Sequence, residues 1–90
     1  MNVDTSGIEN ILRKHSKKDF ALFKSLVRKI NQIGCMDTNS IEHFKNLRHD
    51  LSHLKRIQVG SFVLVFRVKE DIVIFEDFDH HDRIYKKRFC

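Results

Sequence analysis

Two rhythms of apolar and polar residues run along this chain, and one replaces the other near residue 54. Between Ser16 and Gly34 the apolar positions are Leu22, Phe23, Leu26, Val27, Ile30 and Ile33. Steps of three and four residues line one face of an α-helix. A shorter set with the same period, Ile8, Ile11 and Leu12, precedes it. Ser6 with Glu9 has the spacing of a capping box, and Ser16 with Asp19 repeats the signal ahead of the longer helix. Gly34 stands where a left-handed C-cap would end that helix. The pattern predicts two antiparallel helices, an αα-hairpin. Before them only Met1 to Asp4 are free to form a short strand.

Residues 39–46, "NSIEHFKN", allow one more helical turn, capped by Asn39 or Ser40. The period then becomes two. "LKRIQV" (54–59), "SFVLVFRV" (61–68) and "DIVIFEDF" (71–78) read as three strands. Gly60 with Ser61, and Lys69 to Asp71, are the turns between them. Connections this short exclude crossovers, so the strands form an antiparallel meander. Alternation puts Phe62, Leu64, Phe66 and Val68 on one face, which must meet the helices. Val63, Val65 and Arg67 lie on the opposite, less covered face. In the first strand Ile57 and Val59 point to the core, and Leu54, Arg56 and Gln58 point away. The predicted fold is α+β: a two-helix hairpin on one face of a small antiparallel sheet, in the order β-α-α-β-β-β, as a single domain over 1–90.

Size and composition sharpen this picture. Ninety residues make one domain with a modest core, which a stable partner would reinforce. Eight Phe, no Pro and three Gly suit a globular chain without long structureless loops. Seventeen Lys and Arg against twelve Asp and Glu give a net charge of +5. That balance fits a polyanionic partner, an acidic protein, or simply a solvated basic surface. Cys35 and Cys90 make no disulfide framework and fit a reducing cytoplasm. "MNVDTSGIEN" lacks the features of a signal peptide, and "FVLVF" is too short to span a bilayer. A cytoplasmic protein without membrane contact is expected.

The candidate chemistry gathers in "FEDFDHHDRIY" (75–85). Metal binding is weighed first. On an extended segment neighbouring ligands diverge, so only Glu76, Phe78 and His80 would share a side. His49 and His53 have the i, i+4 spacing of a zinc pair but lack the adjacent Glu of a metalloprotease. No metal and no cofactor are expected. No nucleophile elbow, reactive-cysteine context or Gly-rich phosphate loop is present. Acid–base work on a phosphodiester needs cations around the phosphate and groups that exchange protons near neutrality. Arg48, Lys55, Arg56, Arg67, Arg83, Lys86 and Lys87 supply cations. His80, His81 and Tyr85 supply proton carriers, imidazole being the side chain suited to neutral pH. The residues alone leave open whether the histidines work or merely decorate a turn.

From Phe44 onward the chain resembles the RelE/ParE toxins of prokaryotic toxin–antitoxin pairs, and specifically their RelE-type mRNA interferases. The residues that carry the resemblance are "FKNLRHDLSHLKRIQVGSFVLVFRV" (44–68) and "DIVIFEDFDHHDRIYK" (71–86). It implies a ribosome-dependent endoribonuclease that drives an mRNA 2′-hydroxyl onto its neighbouring phosphate without a metal. It also implies a cognate acidic RelB-like antitoxin, bound in a hetero-oligomer, beside the ribosome and mRNA as partners. By the same resemblance Arg48 matches a Leu-Arg phosphate contact and Arg56 the first basic residue of the next strand. His80 or His81 matches the acid or base, and Tyr85 the late tyrosine. Lys55, Arg67, Arg83, Lys86 and Lys87 are then candidate RNA contacts. Two positions depart from the pattern: Gln58 and Val63 stand where relatives commonly carry cations. The alternative functions are a ParE-like gyrase inhibitor that binds without cutting RNA, and a basic nucleic-acid-binding module without toxicity.

Overall fold

The computed structural model of the chain describes residues 2–37, 41 and 54–86. Strand β1 (Asn2–Asp4) is followed by a 3-10 turn at Ser6–Ile8, then by α1 (Glu9–Lys18) and α2 (Phe20–Gly34). Strands β2 (Lys55–Val59), β3 (Phe62–Lys69) and β4 (Ile72–His80) come next, and a short helix α3 (His81–Ile84) follows. The α+β architecture expected from the pattern is present. Asn39, Ser40 and the rest of the predicted turn at 39–46 lie outside the described residues, apart from Ile41, which is helical and buried in the core.

The helix ends differ from the sequence reading. Ser6 caps nothing. Asp4 accepts hydrogen bonds from the Ser6 amide (2.9 Å) and hydroxyl (2.7 Å), and these, the hydroxyl first, hold its carboxyl below the usual range. Ser16 lies inside α1 and donates to the Arg13 carbonyl. Asp19 alone separates the helices, and its carboxylate caps α2 by accepting from the Leu22 amide at 3.1 Å. An Asp next to the first helical residue satisfies an orphan N–H directly, so the three-residue Ser–Asp spacing was coincidental. Helix α2 ends at Gly34, but the capping residue is Cys35 at φ −87°, so no left-handed cap forms.

The sheet order is β1-β4-β3-β2. Strands β2, β3 and β4 form the expected meander, while β1 runs parallel to β4, pairing Asn2 with Ile72 and Asp4 with Ile74. The sheet is therefore mixed rather than purely antiparallel, because the helical hairpin acts as the crossover between β1 and the meander. After β1 the chain passes over β4 so closely that a Cβ on Gly7 would sit 2.7 Å from the Phe75 carbonyl oxygen. Gly60 opens the β2–β3 turn at φ 60°, a conformation glycine adopts without a steric penalty.

One irregularity in β4 sets both faces. Val65 pairs with Asp77 but Phe66 with Phe75, leaving Glu76 as the extra residue of a bulge. The bulge lets Phe75 and Phe78, three apart, both reach the helix side. There they pack with Leu64, Phe66, Val59 and Val73 against Ile8, Leu26, Ile30 and Ile33. Burying each such side chain contributes about 1.5–3 kcal/mol. The opposite face is less open than the pattern suggested. Val63 and Val65 are buried in a second, smaller cluster with Leu54 and Ile84, and Tyr85 packs against it. Among the described residues no helix is long and apolar enough to cross a membrane.

Candidate active site

Strand β4 runs two residues past the expected end at Phe78, and the chain turns into α3 at His81. This turn decides the geometry of the histidine pair. On a continuing strand the two rings would point to opposite sides. Here their centroids lie 4.4 Å apart. The argument that the acidic and imidazole groups of this segment must diverge therefore fails, and the expectation of no metal loses its geometric basis. His80, His81 and Asp82 each offer a ligand atom within 4.8 Å of the others.

The ring nitrogens have distinct surroundings. The His81 backbone N–H donates to the Ser61 carbonyl (3.0 Å), and His81 Nδ1 lies 3.1 Å from the same oxygen. A carbonyl can only accept, so His81 Nδ1 carries a hydrogen and Nε2 is its exchangeable position. That Nε2 lies 3.0 Å from Asp82 Oδ1. His80 caps α3: its Nδ1 accepts from the Asp82 amide at 3.2 Å, which assigns the hydrogen of a neutral His80 ring to Nε2. His80 Nδ1 also lies 3.5 Å from Asp82 Oδ2. His80 shares the helix side of the sheet with Phe62, its partner in β3, and meets that ring edge-on.

Arg56 lies on the second face, as alternation predicts, with its guanidinium 5.9 Å from the centre of the Tyr85 ring. Tyr85 is one helical turn beyond His81, so residues of both pairs project from the same short segment. The structure thus joins Arg56 to Tyr85 and His80 to His81. Arg48 and Lys87 lie outside the described residues, as do His49 and His53.

The remaining cations are placed less favourably. Lys55 alternates with Arg56 and falls on the Ile57 and Val59 side of β2, away from the Arg56 face. Arg67 is ion-paired with Glu76, and Arg83 pairs with Asp79 at 3.0 Å. Both ion pairs offset charge that a phosphate would otherwise meet. Lys86 is exposed just beyond α3. Behind the histidines, Lys14, His15, Phe62, Phe78, Asp79 and Arg83 line a cleft of about 170 Å³. His15 meets Phe62 and Phe78 edge-on at 5.5 and 5.6 Å. Burial pushes its imidazole below the usual pKa, Lys14 and Lys18 adding to this and Asp19 and Asp79 opposing it.

A protein named "Putative toxin RelE4" from Methanocaldococcus jannaschii is 48% identical over 85 residues, covering 91% of this chain and 86% of that protein. An uncharacterized protein from Methanosarcina mazei is 34% identical over 83 residues, covering 89% and 92%. The chain belongs to the RelE toxin family. No family model and no solved structure matches it.

Within this RelE-family chain, the two positions expected to depart from the family's cation pattern have different surroundings. Val63 is 3% exposed, wedged among Leu54, Val65 and Ile84, where a charge would be desolvated. Gln58 is exposed, and its side-chain amide donates to the Gly60 carbonyl at 3.0 Å, bracing the β2–β3 turn. Asp82 stands among the acids beside the histidines in the sequence, but strand alternation separates it from His81, and the structure shows its contact with both. The available signal was an Asp directly after two ring nitrogens at a strand end, where acidic residues favour a helix N-terminus.

Proposed function

We propose that this RelE-family chain is a toxin that cuts mRNA on the ribosome by 2′-hydroxyl attack on the adjacent phosphate, as a metal-independent endoribonuclease working in the cytoplasm. The observation that carries the reading is the histidine pair, two imidazoles side by side with different hydrogen-bond roles. His81 Nε2, facing the Asp82 carboxylate, holds a proton that it gives to the leaving 5′-oxygen. His80 Nδ1, which accepts a 3.2 Å bond from the Asp82 amide and lies 3.5 Å from Asp82 Oδ2, takes the 2′-hydroxyl proton. Charge on the crowded phosphate is stabilised by Arg56, steadied over the Tyr85 ring, with Arg48 as a further contact. Lys86 and Lys87 are proposed to meet the RNA backbone beyond α3.

The test is single-turnover cleavage on programmed ribosomes by the parent, His80→Ala, His81→Ala and Tyr85→Phe. Losses in the histidine variants support the assignment. If all three cut at the parent rate and stay toxic, the histidines do no chemistry and the binding-only, gyrase-directed reading replaces it.

The proposal includes an acidic antitoxin. Supporting it are the +5 charge, a cleft of about 380 Å³ between α1 and α2 lined by Leu12, Phe23, Val27 and Ile30, and an exposed Phe20. A partner that binds only the folded toxin raises its melting temperature. The complex should melt well above the isolated chain, and equal melting temperatures would remove this part of the proposal.

A further inference from the structure

We infer that His80, His81 and Asp82 form a regulatory site for a borderline divalent transition-metal ion, zinc above all, whose binding silences the toxin. The starting point is a contact between two acceptors. His81 Nδ1 is committed as a donor to the Ser61 carbonyl, so in the neutral ring Nε2 is a bare lone pair, 3.0 Å from a carboxylate oxygen. Two lone pairs at that distance need something positive between them, either a proton or a metal ion. Fixing one imidazole nitrogen against a backbone carbonyl, with the other turned to the ligand, is also how metal-binding histidines are oriented.

The distances fit. At metal–ligand lengths of about 2.1 Å, neighbouring ligands of a tetrahedral ion lie about 3.4 Å apart. His81 Nε2 to Asp82 Oδ1 is 3.0 Å, and His80 Nδ1 to Asp82 Oδ2 is 3.5 Å. The set spans no more than 4.8 Å, and exposed side chains close that span by small rotations. His81 is 50% and Asp82 71% exposed, so the ion enters from solvent and keeps water in the open position. Two imidazoles with one carboxylate select zinc, cobalt or nickel over magnesium or calcium, which prefer all-oxygen shells.

The consequence for activity rests on the proposed nuclease mechanism. An ion held by His80 Nδ1 and His81 Nε2 occupies the two lone pairs that would exchange protons with RNA. It breaks the 3.2 Å Asp82 amide bond to His80 and displaces any proton shared by His81 and Asp82 to solvent. No covalent chemistry follows, and a chelator reverses it.

The binding half is tested on the purified full chain without reference to cleavage. Zinc chloride is titrated calorimetrically, cobalt(II) absorption reports the coordination, and magnesium chloride is the hard-ion control. One equivalent of zinc is expected, with affinity weakened at least about 10-fold in Asp82→Asn and His81→Ala and unchanged in His15→Ala. Circular dichroism confirms that the variants fold. Absence of saturable binding, equal binding of magnesium, or parent-like affinity in both site variants overturns the site. The regulatory half compares cleavage with and without zinc, in the parent and in Asp82→Asn, each against its own metal-free rate. Inhibition confined to the parent supports it, and parent cleavage undiminished at saturating zinc overturns it. A chain that binds zinc at these residues yet never cuts RNA keeps the site and loses the nuclease reading.

Discussion

The two faces of the sheet use apolar residues for different ends. On the helix side, three Phe from two strands meet Ile8, Leu26, Ile30 and Ile33 in a continuous core. On the other side, four buried residues support a surface that carries Arg56, Tyr85 and the Arg67–Glu76 pair. The first face holds the fold together and meets the candidate chemistry only at its rim, where His80 stands against Phe62. The second gives its functional groups a thin platform, so changes there divide sharply between positions that touch that platform and positions that stand clear of it.

The largest expected effect sharpens this contrast through activity. Replacing His81 by Ala should slow the proposed ribosome-dependent cleavage about 10²- to 10⁴-fold, and Arg56→Ala about 10²- to 10³-fold through lost charge stabilisation. Neither should lower the melting temperature much, since both side chains are partly exposed. A collapse of stability in either variant would mean that the second face holds the fold as much as the first.

Next in size is the converse on the helix side. Phe75 is fully buried between Phe66 and the helices. Phe75→Ala should cost about 3–5 kcal/mol, a large share of what a domain of this size possesses. Urea denaturation measures it, and a loss below about 1 kcal/mol would show that the core repacks around the cavity.

The third comparison sets Val63 and Gln58, the two positions expected to depart from the family pattern, against each other. Val63→Arg places a charge in the Leu54, Val65 and Ile84 cluster and should be strongly destabilising. Gln58→Arg stands in solvent and forfeits only the bond to Gly60, roughly 0.5–1.5 kcal/mol. If the Gln58→Arg chain folds and cuts faster, the missing cation limits the parent enzyme. Equal losses of stability in the two variants would contradict their difference in burial.

Much of the fold was legible because period is a local property. Steps of three and four gave α2, and alternation gave β2, β3 and the placement of Arg56. Most of what escaped the pattern depended on contacts distant in sequence. The parallel pairing of β1 with β4 required knowing where the hairpin returns the chain. The bulge at Glu76 is invisible to a strict period of two. Asp19 rather than Ser16 caps α2 because the helix begins one residue after it. The candidate site was legible as a set of residue types and illegible as geometry. Alternation sends His80 and His81 apart, and only the switch from strand to helix at His81, fastened by two contacts to Ser61, brings them together.

The smallest effect tests how the helix side meets the site. His15 projects from α1 onto Phe62 and Phe78, and burial, with Lys14 and Lys18, lowers its pKa below the ordinary 6.5. Asp19 and Asp79 pull the other way but do not reverse the shift. Above pH 6.5 the ring is neutral in folded and unfolded chains alike, so its contribution to stability is fully present. As pH falls below 6.5 the unfolded chain takes up the proton first, and stability declines until the folded state's lower pKa is passed. The ring is partly solvated, so the change is modest. Melting temperature followed from about pH 7.5 to about pH 5 should drop less steeply in His15→Gln than in the parent. Parallel curves would mean that the ring titrates as it would in water, and that its seat against the two Phe rings does not favour the neutral form over the charged one.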